Sequence, residues 1–198
     1  MKVIVFPRNY KESGQLEEDE KGKDSLNWYL LADSALTNTG KPFYMPEDMG
    51  KVTVSLSVAI RINRLGKSIA GKYASRYFSE SAPVLNFQFS ELKEKLQKRG
   101  LDITPAINFD RCLFIGEFRR LEDQQEIYLV KNSAQKLEWD RTKLLLREEE
   151  LIENISRLNT LKMGDIILPG LSGNMEVGLE DKFVVKRGVE EEFYVKVK

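Results

Sequence analysis

The sequence predicts a β-rich α+β domain with a few short helices, and three observations carry that expectation. Val52, Val54, Leu56, Val58, Ile60 and Ile62 alternate with Thr53, Ser55, Ser57, Ala59, Arg61 and Asn63, and period-two alternation of this length marks a strand with one buried and one polar face. Leu151, Ile152, Ile155 and Leu158 give the clearest helical stripe, within Arg147–Leu158. The tail sets Phe183–Lys186 and Phe193–Val197 on either side of Gly188, the pattern of a hairpin. With no internal repeat, the 198 residues suit one domain, 1–198, able to bury a sizeable core without disulfides or structural metal.

Taken in order, Lys2–Phe6 reads as an opening strand stopped by Pro7. Residues 11–24, KESGQLEEDEKGKD, are polar, charged and glycine-containing, as expected of a mobile surface loop. Asn38-Thr39-Gly40 reads as a tight turn. Beyond the long strand, Ile69, Tyr73 and Tyr77 recur at four-residue spacing, predicting a helix over Ser68–Phe78. Val84–Phe89 reads as a strand. Ser90 is placed to cap a helix carrying Leu92 and Leu96 on one face, with Gly100 just past its end. A strand around Ile127–Val130, the helix at Arg147–Leu158 and a strand at Ile166–Leu168 follow.

Composition narrows the function classes. Lysine plus arginine (31) balance aspartate plus glutamate (31), so charge gives no reason to expect a nucleic acid or an anionic membrane as partner. No apolar stretch approaches the length of a membrane span. The N-terminus has neither the length nor the cleavage site of a signal peptide. The single cysteine, Cys112, has no internal disulfide partner and fits a reducing cytoplasm. It lies in the apolar run CLFIG and reads as a buried small hydrophobe rather than a nucleophile. There is no histidine anywhere, so an imidazole general base is excluded.

The RINRLGK run at 61–67 and TLKMGDII at 160–167 carry a family resemblance. Further blocks fall in the same order: Asn9-Tyr10, Asp33-Ser34-Ala35-Leu36, Lys41-Pro42-Phe43, Arg76-Tyr77, Phe109-Asp110 and Ile115-Gly116. The chain resembles the fumarylacetoacetate hydrolase family over nearly its full length. The resemblance implies that family's mixed β-roll and a homodimer, without transferring an activity.

Active members of the family hold Mg²⁺, Mn²⁺ or Ca²⁺ with two glutamates and an aspartate, because hard cations need anionic oxygen. They bind a keto acid or 1,3-diketone, with a lysine that steadies the developing enolate and a His-Glu pair on an N-terminal lid. By the resemblance, the metal-ligand positions fall on Ser55, Ser57 and Asn86, which supply two hydroxyls and a neutral amide. The lysine position is Ile107, which cannot donate to an enolate oxygen or take a proton. The lid positions are Ser13 and Leu16. A further family lysine is Leu31, and the Thr-Gly-Thr-Pro loop becomes Pro169-Gly170-Leu171-Ser172.

The expectation is a catalytically degenerate member with no catalytic residue and no metal or other cofactor. Its vestigial pocket comprises Leu31, Ser55, Ser57, Asn86, Ile107 and Leu171, with Ile107, Leu31 and Leu171 partly filling a once polar space. Arg61 and Arg76 are candidates for binding an anion, although salt bridging at the surface or a dimer interface is the favoured reading of both. Asp165 is expected to satisfy backbone amides and Asp110 to make a structural hydrogen bond. The alternative is a family-type C–C bond hydrolase, decarboxylase or 2-hydroxyhepta-2,4-diene-1,7-dioate isomerase. It would need a rearranged metal site drawing on Glu91, Asp110, Glu117 or the acidic run 17–20. A metal-free tautomerase using Arg61 or Tyr10 is a third reading that no motif supports.

Overall fold

The computed structural model describes residues 1–11, 28–121 and 126–198, so Ser13, Leu16 and nearly all of the expected 11–24 loop lie outside the described residues. The first half contributes β1 (Val3–Val5), β2 (Tyr29–Leu31), β3 (Leu36–Asn38), β4 (Val52–Ile62), α1 (Gly71–Ala74), β5 (Phe78–Phe89), α2 (Ser90–Lys98) and α3 (Thr104–Ile107). The second half contributes β6 (Leu113–Ile115), β7 (Arg119–Arg120), β8 (Ile127–Lys131), β9 (Gln135–Trp139), α4 (Glu148–Leu158), β10 (Ile166–Leu168), β11 (Ser172–Val177), β12 (Lys182–Arg187) and β13 (Glu190–Lys196). The mostly β architecture agrees with the fold class read from the sequence.

One sheet runs β2-β1-β10-β4-β5-β6-β3, with β11 also paired to β4 and β7 to β5, while β13-β12-β8-β9 form a second, antiparallel sheet. The long β4–β5 ladder, from Val52↔Phe89 to Ile62↔Phe78, is the axis of the molecule. Along its outer edge β4 takes two partners in turn: β10 opposite Ile60 and Arg61, then β11 opposite Thr53 and Leu56. The connection between β10 and β11 must therefore pass β4 at Ser57, and this crossing shapes the site.

Three apolar clusters hold these layers. The largest joins the sheets, with Val54, Leu56, Phe87, Phe114, Leu129 and Phe183 in it, and the Phe87 and Phe183 rings meet edge-on at 6.0 Å. On the other face of β4 and β5, Ala59, Ala82, Val84, Leu113 and Leu168 form a second cluster. In the third, α4 presses Leu151, Ile152 and Ile155 onto Ile4, Ile62 and Ile167. Its helix has Arg147 at the N-cap, and Glu150 reaches back to accept from the Arg147 N–H at 3.0 Å.

Four expectations need correction. The polar face of β4 is not solvated: Ser55 is 2% and Ser57 0% exposed, because a second layer covers it. The segment 68–78 is no single helix. One turn (Gly71–Ala74) passes into a 3₁₀ turn (Ser75–Tyr77), and β5 already begins at Phe78. Ser90 is the first residue of α2 rather than its cap, and its hydroxyl donates to the Lys51 carbonyl at 3.0 Å instead. Asp110 is exposed, and its side chain makes no hydrogen bond to another of the described residues.

Candidate functional site

Ser55 and Asn86 are direct partners across the β4–β5 ladder, and Ser57 sits opposite Val84. The strand period therefore brings the three positions that the resemblance assigns to metal ligands onto one face. That face also carries Thr53 opposite Gln88, and Ala59 opposite Ala82, so it grades from polar at one end to apolar at the other.

The two hydroxyls are committed inward. Ser55 Oγ donates to Asn174 Oδ1 at 2.8 Å, and Asn174 belongs to the irregular stretch of β11 between its paired residues Ser172 and Met175. Ser57 Oγ donates to the Gly170 carbonyl at 2.6 Å, in the β10–β11 crossing. That crossing packs tightly: a Cβ on Gly170 would stand 3.0 Å from Tyr10 Cβ and 3.3 Å from the Asn9 carbonyl oxygen. Asn9 pins it by donating to the Pro169 carbonyl at 2.7 Å and the Leu146 carbonyl at 2.9 Å.

Asn86 is fully buried, and neither its amide nitrogen nor its oxygen has a hydrogen-bond partner of normal geometry among the described residues. The Tyr29 hydroxyl is its polar neighbour. Burial pushes the phenol's pKa far up, and the contact with Asn86 only partly opposes that. Gln88 Nε2 reaches the same hydroxyl at 3.5 Å, while Gln88 Oε1 accepts from Lys93 Nζ at 3.0 Å. Burial, and secondarily Arg8, holds the Lys93 pKa below the usual lysine range.

This donor set does not fit a divalent cation. Hard cations are held by anionic or carbonyl oxygens, whereas Ser55 and Ser57 supply only neutral hydroxyls, each oriented toward an internal acceptor. Asn86 offers one carbonyl oxygen but sets an unpartnered N–H₂ beside it. The charged group that reaches Gln88 on this face, Lys93, is positive. Among the described residues no group of three or more aspartate, glutamate, histidine or cysteine side chains could hold a metal.

The remaining expected residues divide. Leu31 and Leu171 pack in the cluster of Ala59 and Val84, whereas Ile107 packs with Leu85 and Phe87 in the inter-sheet cluster. Phe109 touches both clusters and stacks on Phe89 at 4.1 Å. Arg61 is engaged by Glu80, its Nε at 3.1 Å, and lies over the Phe118 ring at 4.3 Å. Arg76 is exposed beside Tyr73, 5.2 Å from its ring centroid. Glu91 pairs with Lys95 at 2.7 Å, far along the chain from Glu117, which lies 3.9 Å from Arg119. Cys112 is buried, its thiol pKa pushed up to about 11 by desolvation. Asp165 accepts from the Lys2 N–H at 2.8 Å and the Lys162 N–H at 2.9 Å, as expected. Asn174, Gln88, Tyr29 and Lys93 are the site residues that sequence reasoning missed; only their polarity within apolar surroundings could have signalled them.

A two-strand ladder bearing three inward polar positions, wrapped by a β-roll, defines the class of protein. The chain belongs to the fumarylacetoacetate hydrolase family: residues 2–193 match the family described as fumarylacetoacetate (FAA) hydrolase, C-terminal. It is 25% identical over 174 residues to an uncharacterised protein of Pyrococcus horikoshii, covering 85% of this chain and 75% of that one. It is 23% identical over 179 residues to the oxaloacetate tautomerase of Escherichia coli, covering 85% and 80%. In fold it is similar to the fumarylpyruvate hydrolase of Pseudomonas aeruginosa, whose crystal structure holds Mn²⁺ and pyruvate. The TM-score is 0.84 at 19% identity, covering 100% of this chain and 89% of that one. Among the described residues no helix is long and apolar enough to cross a membrane.

Proposed function

We propose that this protein is a catalytically degenerate member of its family that retains the scaffold as a homodimeric, cytoplasmic binding or interaction protein. The observation that carries this reading is the inward commitment of both serine hydroxyls, to Asn174 and Gly170. Two of the positions that would have to supply anionic oxygen to a metal carry neutral hydroxyls, each held by a bond within the protein itself. With Ile107 at the lysine position and no histidine in the chain, neither enolate stabilisation nor imidazole base catalysis has a residue to perform it.

The named relatives supply the test reactions. Keto–enol interconversion of oxaloacetate and hydrolysis of fumarylpyruvate are followed spectrophotometrically with Mn²⁺ or Mg²⁺ present. The reading expects rates equal to those of heat-killed protein. Turnover above that control overturns it. Light scattering checks the dimer, expected at twice the 22.8 kDa chain mass.

A further inference from the structure

On the reverse face of the same ladder, Ile60 stands opposite Ser81, and both line a cavity of about 350 Å³. That volume lies within the range of small-molecule sites, roughly 300–1,000 Å³. Val58, Ile60, Leu121, Ile127 and Trp139 make its apolar wall. Stacking on Tyr10 at 4.7 Å fixes the indole of Trp139.

The polar lining is unbalanced. Arg141 and Arg187 both line the cavity, and each is already matched by a carboxylate. Arg141 donates to both Glu148 oxygens at 2.8 Å, and Arg187 Nε to Glu192 at 2.8 Å. Glu126, Glu138 and Asp140 also line the cavity, and none of the three forms an ion pair with another described residue. Asp140 is kept ionised by hydrogen bonds from the Thr142 hydroxyl and N–H, which lower its pKa. Negative charge is therefore in surplus.

A second observation is independent of charge. Ser81 is 5% exposed, lines the cavity, and its hydroxyl has no hydrogen-bond partner among the described residues. This hydroxyl is not among the unpartnered atoms sealed from solvent, so it opens into the cavity, where its lone pairs are available to an occupant.

We propose that this cavity binds a small organic cation with an apolar body, an aryl- or alkyl-ammonium. Ser81 Oγ accepts from the ammonium. Trp139 and the aliphatic wall cover the body, with the indole contributing cation–π attraction. Glu126, Glu138 and Asp140 supply the countercharge. An anion of the same shape meets three unmatched carboxylates and two guanidiniums that are already occupied.

The test uses the whole protein carrying Trp28→Phe, which leaves Trp139 as the sole emitter, since the chain has 2 tryptophans. Phenethylammonium is titrated against tryptophan fluorescence, with 3-phenylpropionate as the isosteric anion. The amine should saturate the signal, with the carboxylate binding roughly tenfold or more weakly. Ser81→Ala should weaken the amine roughly tenfold, and Glu138→Gln, at the exposed rim, roughly two- to fivefold. Thermal melts confirm that both variants fold. Equal binding of the carboxylate, an unchanged Trp139 signal up to millimolar amine, or wild-type affinity in Ser81→Ala overturns the proposal.

Discussion

The Ser57 hydroxyl donates a 2.6 Å hydrogen bond to the Gly170 carbonyl, joining positions 113 residues apart. It exists because β4 exchanges β10 for β11 along one edge, so the connecting backbone crosses at this serine. Ser57→Ala removes the donor and leaves a buried carbonyl unmatched, for which the expected loss is about 1–3 kcal/mol. Urea unfolding measures it, and an unchanged midpoint would show that the bond contributes nothing.

Asn86 poses the opposite case. Both of its amide atoms are buried without a hydrogen bond of normal geometry and only the contact with the Tyr29 hydroxyl offsets this, so the native state bears a desolvation cost that is incompletely compensated. Asn86→Leu, similar in volume, should therefore be neutral or stabilising by about 1 kcal/mol. A clear fall in the urea midpoint would mean that the amide has a partner after all.

Ser55→Glu, Ser57→Glu and Asn86→Asp combined restore three carboxylates to one face. Without metal, mutual repulsion and burial should cost about 3 kcal/mol or more. Mn²⁺ should then raise Tm in the triple variant and leave the wild type unmoved. A triple variant indifferent to Mn²⁺ would show that the surrounding strands no longer frame a metal centre.

Acid stability should depend on Asp181. Burial pulls its pKa up, but Lys131 at 2.9 Å, the Gly178 N–H and Asn132 outweigh it and hold the carboxyl below its usual range. A depressed folded-state pKa contributes stability above the unfolded value, about 3.9, which is lost as pH falls through the lower folded value. Asp181→Asn should lose less stability than the wild type between pH 5 and pH 2, on the order of 1 kcal/mol less. Parallel acid limbs in urea unfolding would remove Asp181 from the account.

What could be read in advance depended on the range of the interactions. The alternation of β4, the Leu151–Ile155 stripe and the hairpin about Gly188 are local signals and name their elements directly. The three-residue strand Leu36–Asn38 is held by pairing with Leu113–Ile115, which in turn pairs with β5, and no window of that size announces a partner so distant. Tyr73 and Tyr77 kept helical spacing, yet Phe78 was drawn into the ladder opposite Ile62. At the site, positions 55, 57 and 86 were legible through the family resemblance. Asn174 and the Gly170 carbonyl were not, because a bulge and a strand crossover bring them there.

The proposed loss of the metal centre is tested most directly on the wild-type protein. It is incubated with excess Mn²⁺, desalted and assayed for metal by inductively coupled plasma mass spectrometry, alongside a melting curve. The account predicts metal far below one ion per chain and an unshifted Tm. One Mn²⁺ per chain together with a raised Tm would contradict it.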